Sequence, residues 1–159
     1  MLIREQGARL GTLIVALFGL ALAPFAFADD KDDIMALVEQ YGDLEDDLAA
    51  QSKLIRDDRV MITNIRQTNN DKNMEIQMAT RKANEAVAGG KTRFITTIES
   101  PHIAIYGNTA VASFVRTFTV LPHNQAPNNG PPNWVTLVLV KEGGDWGIAH
   151  THNSPAGGN

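Results

Sequence analysis

Cysteine is missing from all 159 residues, which excludes disulfide staples, thiolate metal sites and a lipid anchor on an N-terminal cysteine. Clustered positive charge is missing as well. The chain carries 14 Lys and Arg against 18 Asp and Glu, a formal charge of −4, so nucleic acid and anionic lipid are not its natural partners. There is no glycine-rich phosphate loop, no Gly-x-Ser-x-Gly elbow and no carboxylate pair placed for glycoside chemistry; Gly89-Gly90-Lys91 is too short to cradle a phosphate. No cofactor signature remains, and none is expected.

Long apolar runs are absent with one exception. Arg4 and Arg9 precede the uncharged stretch Gly11 to Ala23, Pro24 breaks it, and Ala26-Phe27-Ala28 follows. A basic start, a short apolar run and a small-x-small site describe a secretory leader, and the run is shorter than the ~20 residues a spanning helix needs. Cleavage is expected after Ala28. That reading divides the chain into a leader, residues 1–28, and one domain, residues 29–159, with a periplasmic or secreted location and no membrane contact once the leader is gone.

What is present is an ordered change of period. Ile34, Leu37, Val38, Tyr41, Leu44 and Leu48 recur at spacings of three and four, an amphipathic helix with acids on its solvent side and Gly42 as a weak point. Ala49 to Asp58 reads as a second short helix and Arg59 to Thr63 as the first strand. The polar stretch Asn64 to Asn73 is a turn region, with Asn70 or Asp71 as N-cap of a third helix that carries Met74, Ile76, Met78, Ala79, Ala83 and Val87 and stops at Gly89-Gly90. Its two methionines read as core filler. Beyond Gly90 the period is two. Ser100-Pro101 marks a bulge in a long strand, Gly107-Asn108 and Gly143-Gly144-Asp145 are hairpin turns, and His123 to Asn133 is a Pro/Asn/Gly loop, a connector or a lid. The order of helix, helix, strand, helix and about four antiparallel strands predicts an α+β layer with helices on one face of a curved sheet.

The arrangement resembles a known family. The helix pair before "DRVMIT", the third helix, and above all "VTLVLVKEGGDWGIAHTHNS" with its Trp-x-Ile-x-His-x-His-x-Ser ending resemble the nuclear-transport-factor-two-like superfamily, in its SnoaL-like and calmodulin-kinase-association-like branch. The resemblance implies a cone-shaped half-barrel, or cystatin-like roll, in which three helices pack on a strongly bent antiparallel sheet. It also implies a cavity at the open end and a homodimer through the sheet face. In the ketosteroid-isomerase-like pattern a general-base Asp closes the first strand; here Thr63 and Asn64 stand at the nearest positions, and neither can act as a base.

The candidate ligand-binding residues are Tyr41, Arg116, Trp134, His150 and His152. Strict alternation puts His150 and His152 on the face of Trp146 and Ile148, and Arg116 on the face of Phe114 and Phe118. By the resemblance, Arg116 and the two histidines form the polar end of an apolar pocket for a small organic acid or carbonyl compound. Two imidazoles alone lack the third ligand a metal site requires, and no metal is expected. The expected function is binding of a small apolar or weakly acidic ligand. The alternatives are a lyase or isomerase using His150 or His152 as acid/base, with Tyr41 or Arg116 stabilising an oxyanion, and a purely structural dimerisation domain.

Overall fold

The helical stripe and the alternating strands assemble as their periods dictate. A computed structural model describes residues 23–63 and 66–157. Residues 1–22, Asn64, Ile65 and the last two residues lie outside that range. Helix α1 spans Ala23–Asp43, so the expected cleavage point at Ala28 falls within it. Its stripe of Ile34, Leu37, Val38 and Tyr41 is buried, each such side chain contributing about 1.5–3 kcal/mol of apolar burial. Gly42 follows the stripe in close contact with the third long strand: an added Cβ would lie 2.9 Å from Ile98 Cδ1, and that side chain would have to shift.

The second helix is shorter than its sequence implied. Only Leu48–Gln51 is α-helical (α2), with Asp47 Oδ1 accepting from Ala50 N–H as its cap, and a 3-10 turn follows to Leu54. Strand β1 then starts at Ile55 and runs to Thr63. The apolar Leu54 and Ile55 favour burial in the sheet over continuation of a helix that Asp57 and Asp58 would have to extend. The polar stretch expected to be a turn contributes a strand too: β2, Arg66–Asn69, pairs antiparallel with β1. Helix α3 covers Asn70–Ala88 and stops where Gly89 takes φ +77° and Gly90 N–H donates to Glu85 O. Met74 is buried and Met78 packs against the core, whereas Ile76 and Val87 are exposed.

The remaining strands are β3 (Arg93–Tyr106), β4 (Thr109–Leu121), the two-residue β5 (Asn128–Asn129), β6 (Asn133–Glu142) and β7 (Asp145–Pro155). The sheet order is β2-β1-β7-β6-β4-β3, with β5 beside β4. The long strands are antiparallel as expected, but β1 lies parallel to β7, which makes the sheet mixed. Helix α3 and the hairpins after it supply the long crossover from β1 to β7 that a parallel pair needs.

Three register shifts bend the sheet, the first in β1, whose pairing with β7 shifts between Ile55 and Val60. In β3 the pairing shifts between Glu99 and His102, at the expected Ser100-Pro101, with Ser100 at φ +52°. In β7 the pairing shifts so that Ile148 faces Leu139 and His150 faces Val138, leaving Ala149 as the extra residue. The core lies between α1 and the concave side of the sheet, where Ala110, Ala112, Phe114, Val135, Leu137, Leu139 and Ile148 are fully covered. Among the described residues no helix is long and apolar enough to cross a membrane.

Candidate functional site

The bulge at Ala149 decides which side chains face the interior. Trp146 and Ile148 point inward, but past the extra residue Thr151 and Asn153 take the inner side and are buried, while His150 and His152 pair with the half-exposed Val138 and Thr136 on the outer side. The two imidazoles therefore do not share the face of Trp146 and Ile148. Nor do they join Arg116, and the pocket expected from the three residues together does not form. Trp134 is also outward, half exposed. Neither His102, exposed on β3, nor His123, against Gly90 in the loop, joins the pair. Among the described residues no three metal-ligating groups cluster.

The inner side carries a different polar set. Tyr41 reaches it from α1, Arg59 from β1, Arg116 from β4, and Thr151 and Asn153 from β7; all five are buried, Arg59 to 1% exposure and Arg116 to 7%. Arg116 arrives by plain alternation, following Ala110, Ala112 and Phe114 on the covered face of β4. Its guanidinium stacks over Phe118 at 4.3 Å and stands 5.9 Å from the Tyr41 ring centroid. Phe118 meets Phe94 edge to face, with centroids 6.4 Å apart. Arg59 hydrogen-bonds the Tyr41 side chain; burial pulls its guanidinium below the ordinary arginine range, and the tyrosine partly offsets this.

The polar atoms of this set are short of partners. Arg59 Nε and Nη2, Arg116 Nε, Asn153 Oδ1 and the hydroxyls of Thr63, Thr96 and Thr151 are buried with no hydrogen-bond partner among the described residues. Among the described residues neither Arg59 nor Arg116 has a carboxylate; the ion pairs formed there join Asp58 and Glu142 to Arg56, Glu45 to Arg81, Asp46 to Arg93 and Asp30 to Lys141. A buried guanidinium without an anion is costly. Two on one concave face, backed by aromatic rings, make a site that attracts negative charge.

A cleft of about 410 Å³ opens beside this set, lined by Ile76, Thr80, Phe94, Val120 and Pro122 among others. Phe94 connects it, through Phe118, to Arg116. At its edge Arg81 lies over Phe94 at 4.1 Å and is held by Glu45 at 2.7 Å.

Of the residues named from sequence, Tyr41 and Arg116 meet, while Trp134, His150 and His152 stand across the sheet from them. Arg59, Thr151 and Asn153 were not anticipated. Arg59-Val60-Met61-Ile62-Thr63 is apolar at both parities, so alternation alone could not say which residues face inward. The one available signal was that Arg59, Met61 and Thr63 share a parity.

A model of the SnoaL-like domain family matches residues 34–157. Among curated proteins none matches the sequence. Solved structures similar in fold include a nuclear transport factor 2 (NTF2-like) superfamily protein from Salmonella enterica serovar Typhimurium, 19% identical over 83% of this chain and 94% of that one, with a TM-score of 0.69. An NTF2-like protein with a cystatin-like fold from Novosphingobium aromaticivorans is 14% identical over 86% and 88%, with a TM-score of 0.68. ActVI-ORFA from Streptomyces coelicolor is 12% identical over 80% and 97%, with a TM-score of 0.64. At these identities the likeness is one of fold.

Proposed function

The chain belongs to the SnoaL-like domain family, a shared fold with many chemistries, and from that premise we propose that it binds a small, weakly acidic organic molecule on the concave side of its sheet. The acid group faces Arg116, Arg59 adds positive charge on the same side of the sheet, Tyr41 supplies a hydroxyl, and Phe94 and Phe118 receive the apolar body. One observation carries this reading: two guanidiniums are buried without a carboxylate partner among the described residues. A charge-assisted hydrogen bond to such a group is worth about 1.5–3 kcal/mol, enough to make an anion the preferred occupant.

Calorimetric titration of the purified protein with small carboxylic acids and their neutral amides tests it. The acids are expected to bind and the amides not, and Arg116→Leu is expected to weaken acid binding by roughly tenfold or more, the worth of one such bond. Acid binding untouched by that substitution overturns the reading.

Catalysis through His150 or His152 has no support from the geometry, since both rings lie on the opposite side of the sheet from Tyr41 and the arginines. Binding without chemistry is therefore preferred to the lyase or isomerase alternative. The secretory leader expected at residues 1–28 supports a periplasmic or secreted location for this binding. Cleavage after Ala28 would leave Asp29, Asp30, Asp32 and Asp33 in the first turn of α1, where the helix dipole favours negative charge. The intact mass of the exported chain checks this: a species that does not begin at Asp29 removes the assignment.

A further inference from the structure

The site holds two cationic groups on two walls. Arg59 comes from β1 and Arg116 from β4, strands kept apart in the sheet by β7 and β6. Tyr41 stands between them, hydrogen-bonded to Arg59 and 5.9 Å by its ring centroid from the Arg116 guanidinium. The unpartnered polar atoms divide the same way. Arg59, Thr63, Thr151 and Asn153 lie on the β1/β7 wall, where Thr63 pairs directly with Asn153 and Met61 with Thr151. Arg116 and Thr96 lie on the β3/β4 wall, Thr96 pairing with Phe118 and Arg116 with Ile98.

A single carboxylate can satisfy only one of these walls. It would leave the other guanidinium buried and unpaired, and removing one partner from a buried charge is strongly unfavourable. Hydroxyls and the Asn153 amide can complete the coordination of a carboxylate, but they cannot neutralise the second arginine. We propose that the ligand is a short-chain dicarboxylate, one carboxylate against Arg59 with Thr151 and Asn153, the other against Arg116 with Thr96, its carbon chain passing the Tyr41 ring. This rests on the acid-binding reading above and narrows it to a diacid.

The test compares glutarate with butyrate, and with glutaramide as the neutral control, by calorimetry on the full chain as purified. Glutarate is expected to bind at least about tenfold more tightly than butyrate, the value of one further charge-assisted contact. Arg59→Gln and Arg116→Gln are each expected to bring glutarate down to the level of butyrate. Arg59→Lys and Arg116→Lys, which keep the charge but lose the planar fork, are expected to fall between. The comparison of the two acids on the unsubstituted protein needs no variant, so a substitution that fails to fold does not remove the test. Equal affinity for butyrate and glutarate, with one arginine responsible for both, overturns the diacid assignment and leaves the monoacid reading standing. Failure of every acid to bind, or binding of glutaramide as tightly as glutarate, overturns both.

Discussion

At the scale of single residues, the interior trades stability for charge. Arg116 is covered, lacks a carboxylate among the described residues and leaves its Nε without a partner, although stacking on Phe118 and proximity to Tyr41 recover part of the cost. Replacing an uncompensated buried charge with an apolar side chain of similar length is often stabilising by about 1–4 kcal/mol. Arg116→Met is therefore expected to raise the thermal midpoint of the ligand-free protein by several degrees while weakening acid binding by roughly tenfold or more. Calorimetry on both proteins checks this, and a lowered midpoint would mean that the stacking outweighs the desolvation. Arg56 makes the contrast: it is partly exposed, paired with Asp58 at 2.9 Å and with Glu142 at 2.7 Å, and these bonds hold it firmly charged. A surface pair of this kind contributes little, and nothing about it points to a ligand.

Among the elements, β7 carries the decisive irregularity. Because Ala149 is the residue left over in the pairing with β6, its removal would join Ile148, inward, directly to His150, outward, and leave Thr151 and Asn153 on the inner side. Deletion of Ala149 is thus expected to give a folded protein with a cooperative transition, at a loss of about 1–3 kcal/mol from the altered bend. Deletion of Ala112, in an unbulged stretch of β4, reverses every later side chain of that strand and is expected to abolish cooperative unfolding. Denaturant titration followed by circular dichroism separates the two cases; loss of the fold in both removes the assignment of Ala149 as the bulge residue.

The attachment of α1 is a second matter of elements. Asp30 near the start of the helix accepts from Lys141 Nζ and from Trp146 Nε1, tying α1 to the β6/β7 hairpin. The Lys141 hydrogen bond lowers the Asp30 carboxyl below its ordinary value of 3.8, and the same bond raises Lys141. A carboxyl depressed by folding stabilises the native state fully above that ordinary value and loses the contribution as the pH falls through the lower folded value. Asp30→Asn should therefore unfold at a lower temperature than the parent at pH 7, with the difference shrinking as the pH falls below 3.8 and closing only below the lowered folded value, where both carry a neutral side chain. Melting curves across that range check it, and a gap that persists in acid would assign the tether to packing instead of charge.

For the whole molecule, one side of the sheet is covered by helices and, among the described residues, the other is not. The uncovered side presents Trp134 and Ile95, both about half exposed, with Val60, Ile62, Val138 and the two histidines around them. We propose that a second copy covers this face, in keeping with the resemblance. Light scattering is expected to give a dimer mass that Trp134→Lys or Val138→Glu converts to monomer with the fold retained. A monomeric parent protein at micromolar concentration overturns the proposal. On this arrangement Trp134, His150 and His152 belong to the association surface, and the ligand site belongs to the opposite side of the same strands.

Much of this molecule is legible in local pattern. Spacings of three and four placed α1 and its buried stripe, including Tyr41. Gly89-Gly90, Gly107-Asn108 and Gly143-Gly144 stopped elements where positive φ is needed, and Ser100-Pro101 announced a bulge. The inward placement of Arg116 followed from alternation with Phe114 and Phe118. The orientation of His150 and His152 could not be read this way. Alternation says which residues share a face, but not which face is covered or where a strand absorbs an extra residue. Ala149 has none of the glycine or proline chemistry that betrays a bulge, and its position is set by how Leu137 and Leu139 on β6 match Thr151 and Ile148 on β7. The same holds for Arg59, whose strand is apolar at both parities until β7 lies parallel beside it and α1 brings Tyr41 over it. Local chemistry determined the order of the elements and their turns. Long-range pairing decided which charges are buried together, because only the partner strands fix the register on which every side chain's direction depends.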